Sequence, residues 1–275
     1  MKRIKRYAQA AAGGLALLLT LLPAPEGRAS ERAGTEASDK LIRFMRTEHT
    51  PSEPLLPPGT VIKDGFEPGE GAPAGTVQLV KGTALAVRKA GGAAFRLQRD
   101  SPVFTGDTLV TEKESKVTLL MQDNSVLSLS AQSKLTIDQA ALKPEGKRDT
   151  KLKLLLGRVR AVVSKLAGKS SFTVRTPTLM AGVRGTDFAV AVAPAPDAPS
   201  QLLTAVLTGG GQSFVELLSP AGGASTLLCP LSVASADESG RITRPVRVCW
   251  KSPKTLRRIA PEIGLNCSIY RRRRK

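Results

Sequence analysis

The chain is poor in the side chains on which most enzymes and metal proteins depend. Of its 275 residues, one is histidine, three are cysteine and only 4% are aromatic. A Ser-His-Asp triad would have to use His49, and a metal site with several histidine ligands is impossible. These shortages favour a binding or structural protein over an enzyme, and we predict no catalytic residues, no cofactor and no metal ion.

Acidic residues are also scarce, since 23 Asp and Glu stand against 41 Lys and Arg, for a net charge of +18. Such a surplus favours polyanionic partners, although the shortage of aromatic side chains for base stacking argues against nucleic acid. The basic residues concentrate in residues 150–186 and 241–275. Alternation along an extended chain predicts a cationic stripe in the first segment, and a basic tail ends the second. The alternative is a disordered, solvated tail that only keeps the protein soluble. The candidate polyanion-binding residues are Lys151, Lys153, Arg158, Arg160, Arg271, Arg272, Arg273, Arg274 and Lys275.

The N-terminus has the pattern of a secretory signal peptide. Basic residues near the start precede an apolar stretch at residues 10–22, which is shorter than the roughly 20 residues of a membrane span. We predict cleavage after Ala29, leaving no transmembrane helix, with an uncleaved anchor as the alternative. Either outcome exports the chain to the periplasm or the cell exterior.

Export would permit a disulfide bond. The three cysteines lie within the last 47 residues, which is consistent with one bridge and a spare thiol. The alternative is three free buried thiols, and sequence does not choose among the pairings of Cys229, Cys249 and Cys267.

Residues 30–75 read as a short helix followed by a linker. Ser38 is a candidate N-cap, and Leu41, Phe44 and Met45 would share one helical face. Eleven prolines and glycines among residues 51–76 then predict an extended linker.

Residues 76–230 consist of short runs in which apolar and polar residues alternate, separated by turn residues. A basic extension follows at residues 231–275. This pattern predicts an all-β domain of about a dozen short strands, arranged as a β-sandwich, a roll or a short β-solenoid. Lys81-Gly82 is predicted to join residues 76–80 and 83–87 as two strands about a tight turn, and residues 122–125 to form another turn.

Several of these pieces resemble the FecR-domain family over residues 76–192. They are the Gly106-Asp107 turn, the Asp123-Asn124-Ser125 turn and, most specifically, a "TP … VRGTxF" block at residues 176–188. The resemblance implies an exported, mainly β domain that takes part in signalling. The family includes inner-membrane regulators that relay a signal from an outer-membrane transporter to a cytoplasmic sigma factor, and free-standing secreted versions. Because about seven residues precede the apolar segment, we do not expect direct control of a sigma factor.

The "VRGTxF" block has two interpretations. Gly182 and Gly185 would let the chain turn sharply. The Arg184 guanidinium between them would then bind backbone carbonyls or a carboxylate such as Asp107 or Asp187. The block is then either a binding corner or, as the glycines favour, a hydrogen-bonded structural corner. The candidate binding residues are Arg184, Gly185, Thr186, Asp187 and Phe188.

Three functional hypotheses follow. The leading one is a non-catalytic envelope module whose β domain mediates protein interaction, signalling or assembly. The alternative is a scaffold that binds wall glycan or lipopolysaccharide through the basic stripe and tail. An uncharacterised hydrolase ranks last, because neither a nucleophile–base pair nor metal-ligand spacing can be found.

Overall fold

The computed structural model describes residues 26–248, apart from residues 52, 66, 70, 89–92, 143–147, 165–169, 211, 212, 221, 223 and 224. The core of the predicted signal peptide, Cys249, Cys267 and the basic tail at residues 271–275 lie outside the described residues.

The described residues contain one helix and eighteen strands, which confirms the predicted all-β class. The number of strands exceeds the expected dozen. The elements are α1 (Glu26–Arg46), β1 (Val61–Lys63), β2 (Gly75–Lys81), β3 (Ala84–Val87), β4 (Ala93–Arg96), β5 (Pro102–Val103), β6 (Thr108–Thr111), β7 (Lys116–Met121), β8 (Val126–Leu129), β9 (Ser133–Leu142), β10 (Arg148–Val162), β11 (Ser171–Arg175), β12 (Met180–Val183), β13 (Asp187–Ala195), β14 (Ala198–Thr208), β15 (Val215–Leu218), β16 (Ser225–Leu228), β17 (Ser232–Ala236) and β18 (Val246–Arg247).

The strands form a curled mixed sheet with two layers. The first layer has the order β1-β4-β3-β6-β9-β10-β11-β12-β15-β16. The second has the order β5-β2-β7-β8-β10-β13-β14-β17-β18. Only β1–β4 and β10–β11 are parallel among the described pairings. Strand β10 belongs to both layers and therefore joins them.

Gly157 is the point at which β10 passes from one layer to the other. Its φ of 89° lies in the region that favours glycine, and a Cβ at this position would overlap Ser133. The Ser133 hydroxyl instead accepts a hydrogen bond from the Arg158 backbone N–H at 2.9 Å. The absence of a side chain thus lets the two strands approach closely at the bend.

The predicted tight turn at Lys81-Gly82 does not close a hairpin, so that part of the prediction was wrong. Strand β2 pairs with β5 and β7 in the second layer, whereas β3 pairs with β4 and β6 in the first. Gly82 has a φ of 72° and packs against Ser115, whose hydroxyl accepts a hydrogen bond from the Thr83 N–H. That contact directs the chain across the layers.

The main core fills the space between the layers. Phe172 and Phe188 meet there edge to face, with ring centroids 6.3 Å apart. Leucines from the central strands, including Leu127 and Leu154, are completely buried in the same cluster. Burial of a side chain of this size contributes about 1.5–3 kcal/mol, so this interface accounts for most of the hydrophobic stabilisation.

Helix α1 covers part of the outer face of the second layer. Ile42, Phe44 and Met45 pack on Ala189 and Ala191 of β13, together with neighbours in β14 and β17. Alanine leaves room for the helix to lie close to the sheet. The predicted apolar face is confirmed, but the predicted cap is wrong, because the helix begins at Glu26 and contains Ser38. Helix α1, the one helix in the described part of the chain, is not apolar enough over a sufficient length to span a membrane.

The breaker-rich segment after α1 covers part of the other outer face. Leu55 and Leu56 pack on Leu85, Ala94 and Val110 of the first layer. The same segment supplies β1, whose residues are exposed. The prolines and glycines of this segment predict a linker, but its two leucines pack it against the sheet.

Candidate functional site

The "TP" half of the sequence block is a buried turn between β11 and β12. The Thr176 hydroxyl donates to the Leu179 carbonyl and accepts from the Leu179 N–H, both at 3.0 Å. It also lies 3.0 Å from the Thr204 hydroxyl of β14. These bonds satisfy buried polar groups and hold the hairpin against the opposite layer.

The "VRGTxF" half forms the turn from β12 to β13. Gly185 has a φ of 128°, as a sharp turn there requires, whereas Gly182 lies within β12 and was wrongly assigned to the turn. Thr186 is buried and donates to the Phe214 carbonyl, and Phe188 enters the core. Two of the five candidate binding residues are therefore held inside the fold.

Arg184 does not make the predicted ion pair with Asp107 or Asp187. The two oxygens of Asp187 accept from Arg160 Nε and Nη2, each at 2.9 Å. Asp107 pairs instead with Arg88, a residue that the sequence did not single out. Arg184 is exposed, so among the candidate binding residues it is the one whose charge faces outward.

The two acidic turns of the resemblance are structural. Asp107 is buried and accepts from the Phe104 N–H at 2.8 Å as well as from Arg88. Asp123 accepts from the Ser125 N–H at 2.9 Å and from the Thr150 hydroxyl at 2.7 Å, which fastens the turn to β10. Asn124 has a φ of 61°, as expected for that turn.

The predicted cationic stripe is divided between the layers. Lys151 and Lys153 lie on the first layer, and Arg158 and Arg160 lie beyond Gly157 on the second. Each pair shares a face as predicted, but the bend of β10 breaks the continuity. Arg158 donates to the carbonyls of Met45 and Arg46 at the end of α1, at 3.1 and 2.7 Å.

Cys229 is exposed and is a free thiol among the described residues. A disulfide among Cys229, Cys249 and Cys267, and its pairing, remains a prediction, since Cys249 and Cys267 lie outside the described ranges. Within those ranges there is no group of three or more His, Cys, Asp and Glu side chains that could hold a metal ion.

An open groove of about 620 Å³ lies on the outer face of the first layer, across β11, β12, β15 and β16. We call it the β12 groove. Arg184 lies in it, beside Phe214 and Leu227, which are 45% and 57% exposed. Gly182 forms its floor, where an added Cβ would meet nothing closer than the Glu216 carbonyl oxygen at 4.0 Å. The sequence did not reveal this groove, because it assembles from residues up to 57 positions apart in the chain.

The family model "FecR protein" matches residues 107–210, from the end of the Gly106-Asp107 turn to two residues past β14. No match was found among curated proteins. Among solved structures, two of a "putative anti-sigma factor" from Parabacteroides distasonis show 19% and 18% identity with TM-scores of 0.39. Each alignment covers 50% of this chain and 57% of the other. A "cell surface anchoring domain" has 22% identity and a TM-score of 0.22, over 23% of this chain and 83% of its own.

Proposed function

Because residues 107–210 form a FecR domain, we propose that the chain is a non-catalytic interaction and signalling module of the cell envelope, which binds a protein partner in the β12 groove. The proposal combines the family match with the location of exposed apolar surface. Export to the periplasm or the cell surface is part of it and rests on the N-terminal sequence.

The observation that carries the proposal is the uneven covering of the two outer faces. Helix α1 covers alanines of the second layer, and Leu55 and Leu56 cover apolar residues of the first. The chain thus uses its own segments to bury these surfaces. Within the described ranges no segment does so for Phe214 and Leu227, and exposed apolar groups beside charged ones, here Arg184 and Glu216, are typical of a binding surface.

The groove favours a partner that presents an extended segment with an acidic residue to meet Arg184 and a basic residue to meet Glu216. Arg184 supplies the positive charge, and Phe214 and Leu227 supply apolar contacts beside it. Strand β16 is the last strand of the first layer, and the described residues place no strand on its outer side. A partner strand could therefore pair with β16 while its side chains enter the groove.

Photocrosslinking in cells that produce the protein tests this proposal. A photoreactive amino acid at position 214 or 227 should capture the same protein, whereas one at the exposed Leu120 of the second layer should not. Gly182→Phe should abolish the capture by filling the groove, while Gly182→Ala preserves it. Capture that is equal from all three positions, or that survives Gly182→Phe in a folded variant, would contradict the proposal.

A second candidate is the binding of anionic wall or lipid polymers. Lys153 lies directly opposite Arg175 in the parallel pair β10–β11, and both are exposed. Like charges in such positions repel, and a bound polyanion would relieve that repulsion. Co-sedimentation with sacculi or outer-membrane vesicles should then weaken steeply with salt. Lys153→Gln with Arg175→Gln should reduce it further, and retention at high salt would exclude this function.

A further inference from the structure

A second groove lies on the outer face of the second layer, beside the end of α1. It encloses about 410 Å³. Two acidic residues line it, Glu48 and Glu114, and Glu48 is held by the Glu114 N–H at 3.4 Å. Its basic lining residues are Arg46, Lys81, Lys116, Arg158 and Arg160.

Lys81 and Lys116 are the basic residues of this groove that the fold does not explain. They lie directly opposite each other in the antiparallel pair β2–β7. Opposed like charges destabilise a sheet, and no ion pair is found for either side chain among the described residues. Ser128 of β8 and Ser130 just after it line the groove beside them and add hydroxyl groups. Ammonium and hydroxyl donors together suit an oxyanion.

The two arginines shape the groove. Arg160 donates two hydrogen bonds to the Asp187 carboxylate, and Arg158 donates to the last carbonyls of α1. The end of a helix carries partial negative charge, which would repel an anion. Because Arg158 lies at those carbonyls, it offsets this charge where the groove meets the helix.

The same sheet face becomes apolar farther along the strands. Leu79, Leu120 and Val162 are exposed on β2, β7 and β10. Leu120 and Val162 both pair with Val126, so these two side chains lie in one row across the sheet, and Leu79, opposite Thr118, lies one row nearer to the lysines. Four residues separate Lys116 from Leu120, a distance of about 13 Å in a strand. A cationic groove and an apolar row therefore share one surface.

We propose that this surface binds an anionic membrane lipid, with the phosphate between Lys81 and Lys116 and the acyl chains along Leu79, Leu120 and Val162. A free phosphate ion would use only the lysine end. The apolar row is the observation that favours a lipid. The site is separate from the β12 groove, which lies on the other layer.

Vesicle flotation with the full chain tests this site. Phosphatidylglycerol vesicles should bind the protein, and pure phosphatidylcholine vesicles should bind it much less. Each lysine near an anionic lipid surface contributes about fivefold in affinity, so Lys81→Gln with Lys116→Gln should weaken binding about 30-fold. Arg96→Gln with Lys134→Gln, on β4 and β9 of the other layer, is the matched control and should change affinity less than about threefold. All variants keep the basic tail.

The apolar row and the ligand source need separate tests. Leu79→Ser with Leu120→Ser should also weaken vesicle binding, whereas Leu227→Ser on the other layer should not. Inorganic phosphate at millimolar concentration should fail to displace the vesicles. Equal losses in the two double variants, at Lys81 with Lys116 and at Arg96 with Lys134, would overturn the site. Displacement by phosphate or full binding by the serine variant would overturn its assignment to a lipid.

Discussion

The buried ion pair between Arg88 and Asp107 should be a principal support of the fold. Its side chains are only 10% and 2% exposed. The Arg88 guanidinium also lies over the Phe95 and Phe104 rings, 5.4 and 4.8 Å from their centroids, and donates to the Glu67 carbonyl at 2.8 Å. One arginine thus connects the segment before β2 with β4 and with the turn that precedes β6.

Replacing one partner leaves the other charge buried without its counterion. Asp107→Asn removes the carboxylate that also accepts from the Phe104 N–H, so two hydrogen bonds are weakened at once. Loss of one member of a buried pair costs about 3–5 kcal/mol. Arg88→Met should cost a similar amount, and the double variant should cost less than the sum of the two because the residues are in contact.

Equilibrium urea unfolding measures these costs, and the Arg160–Asp187 pair supplies the control. That pair has the same chemistry, but its side chains are 28% and 24% exposed. Asp187→Asn should therefore cost about 1 kcal/mol, because solvent screens the remaining charge. A cost below about 1 kcal/mol for Asp107→Asn, or equal costs at both aspartates, would refute the assignment of stability to burial of the pair.

Three further predictions concern local contacts. Gly157→Ala should destabilise the fold by about 3 kcal/mol or more, measured by thermal unfolding, because the methyl group would overlap Ser133 at a positive φ. Arg158→Ala should speed amide hydrogen exchange in α1, since it removes the donors to the end of the helix; unchanged exchange would contradict this. The Ser239 hydroxyl and nearby N–H groups hold the pKa of Asp237 below its ordinary value of 3.8, so NMR titration should find it low. Ser239→Ala should raise that pKa, and the stabilisation by Asp237 should be lost as the pH falls from 3.8 through the lowered value.

Alternation of polar and apolar residues made the strands predictable where one face meets the core and the other meets solvent. Strand β8 has that pattern and was predicted almost to its ends. Strand β17 was missed because its five residues are all buried, so serine and alanine give no alternation. Strand β13 is buried on both faces too, yet it was predicted, since Phe and Val toward the core alternate with alanines beneath α1.

The sequence did not predict which strands pair across the sheet or in which register. Asp187 binds Arg160, 27 residues away, although Arg184 is much nearer in the chain. The register of β10 on β13 decides this choice, since Val162 lies opposite Asp187 and places Arg160 beside it. The same limitation hid Lys81 and Lys116, which are 35 residues apart in sequence and adjacent in the sheet.

The segment matched by the FecR family is not a complete folding unit in this chain. Residues 107–210 include Asp107 but not Arg88, so the segment alone would bury a carboxylate without its partner. They also include the outer alanines of β13 but not α1, which covers them. The first loss leaves a buried carboxylate without its counterion, and the second exposes apolar side chains to water. The unit that folds must therefore extend at least from α1 through β14. The segments outside the family match therefore belong to the structure that presents both candidate surfaces.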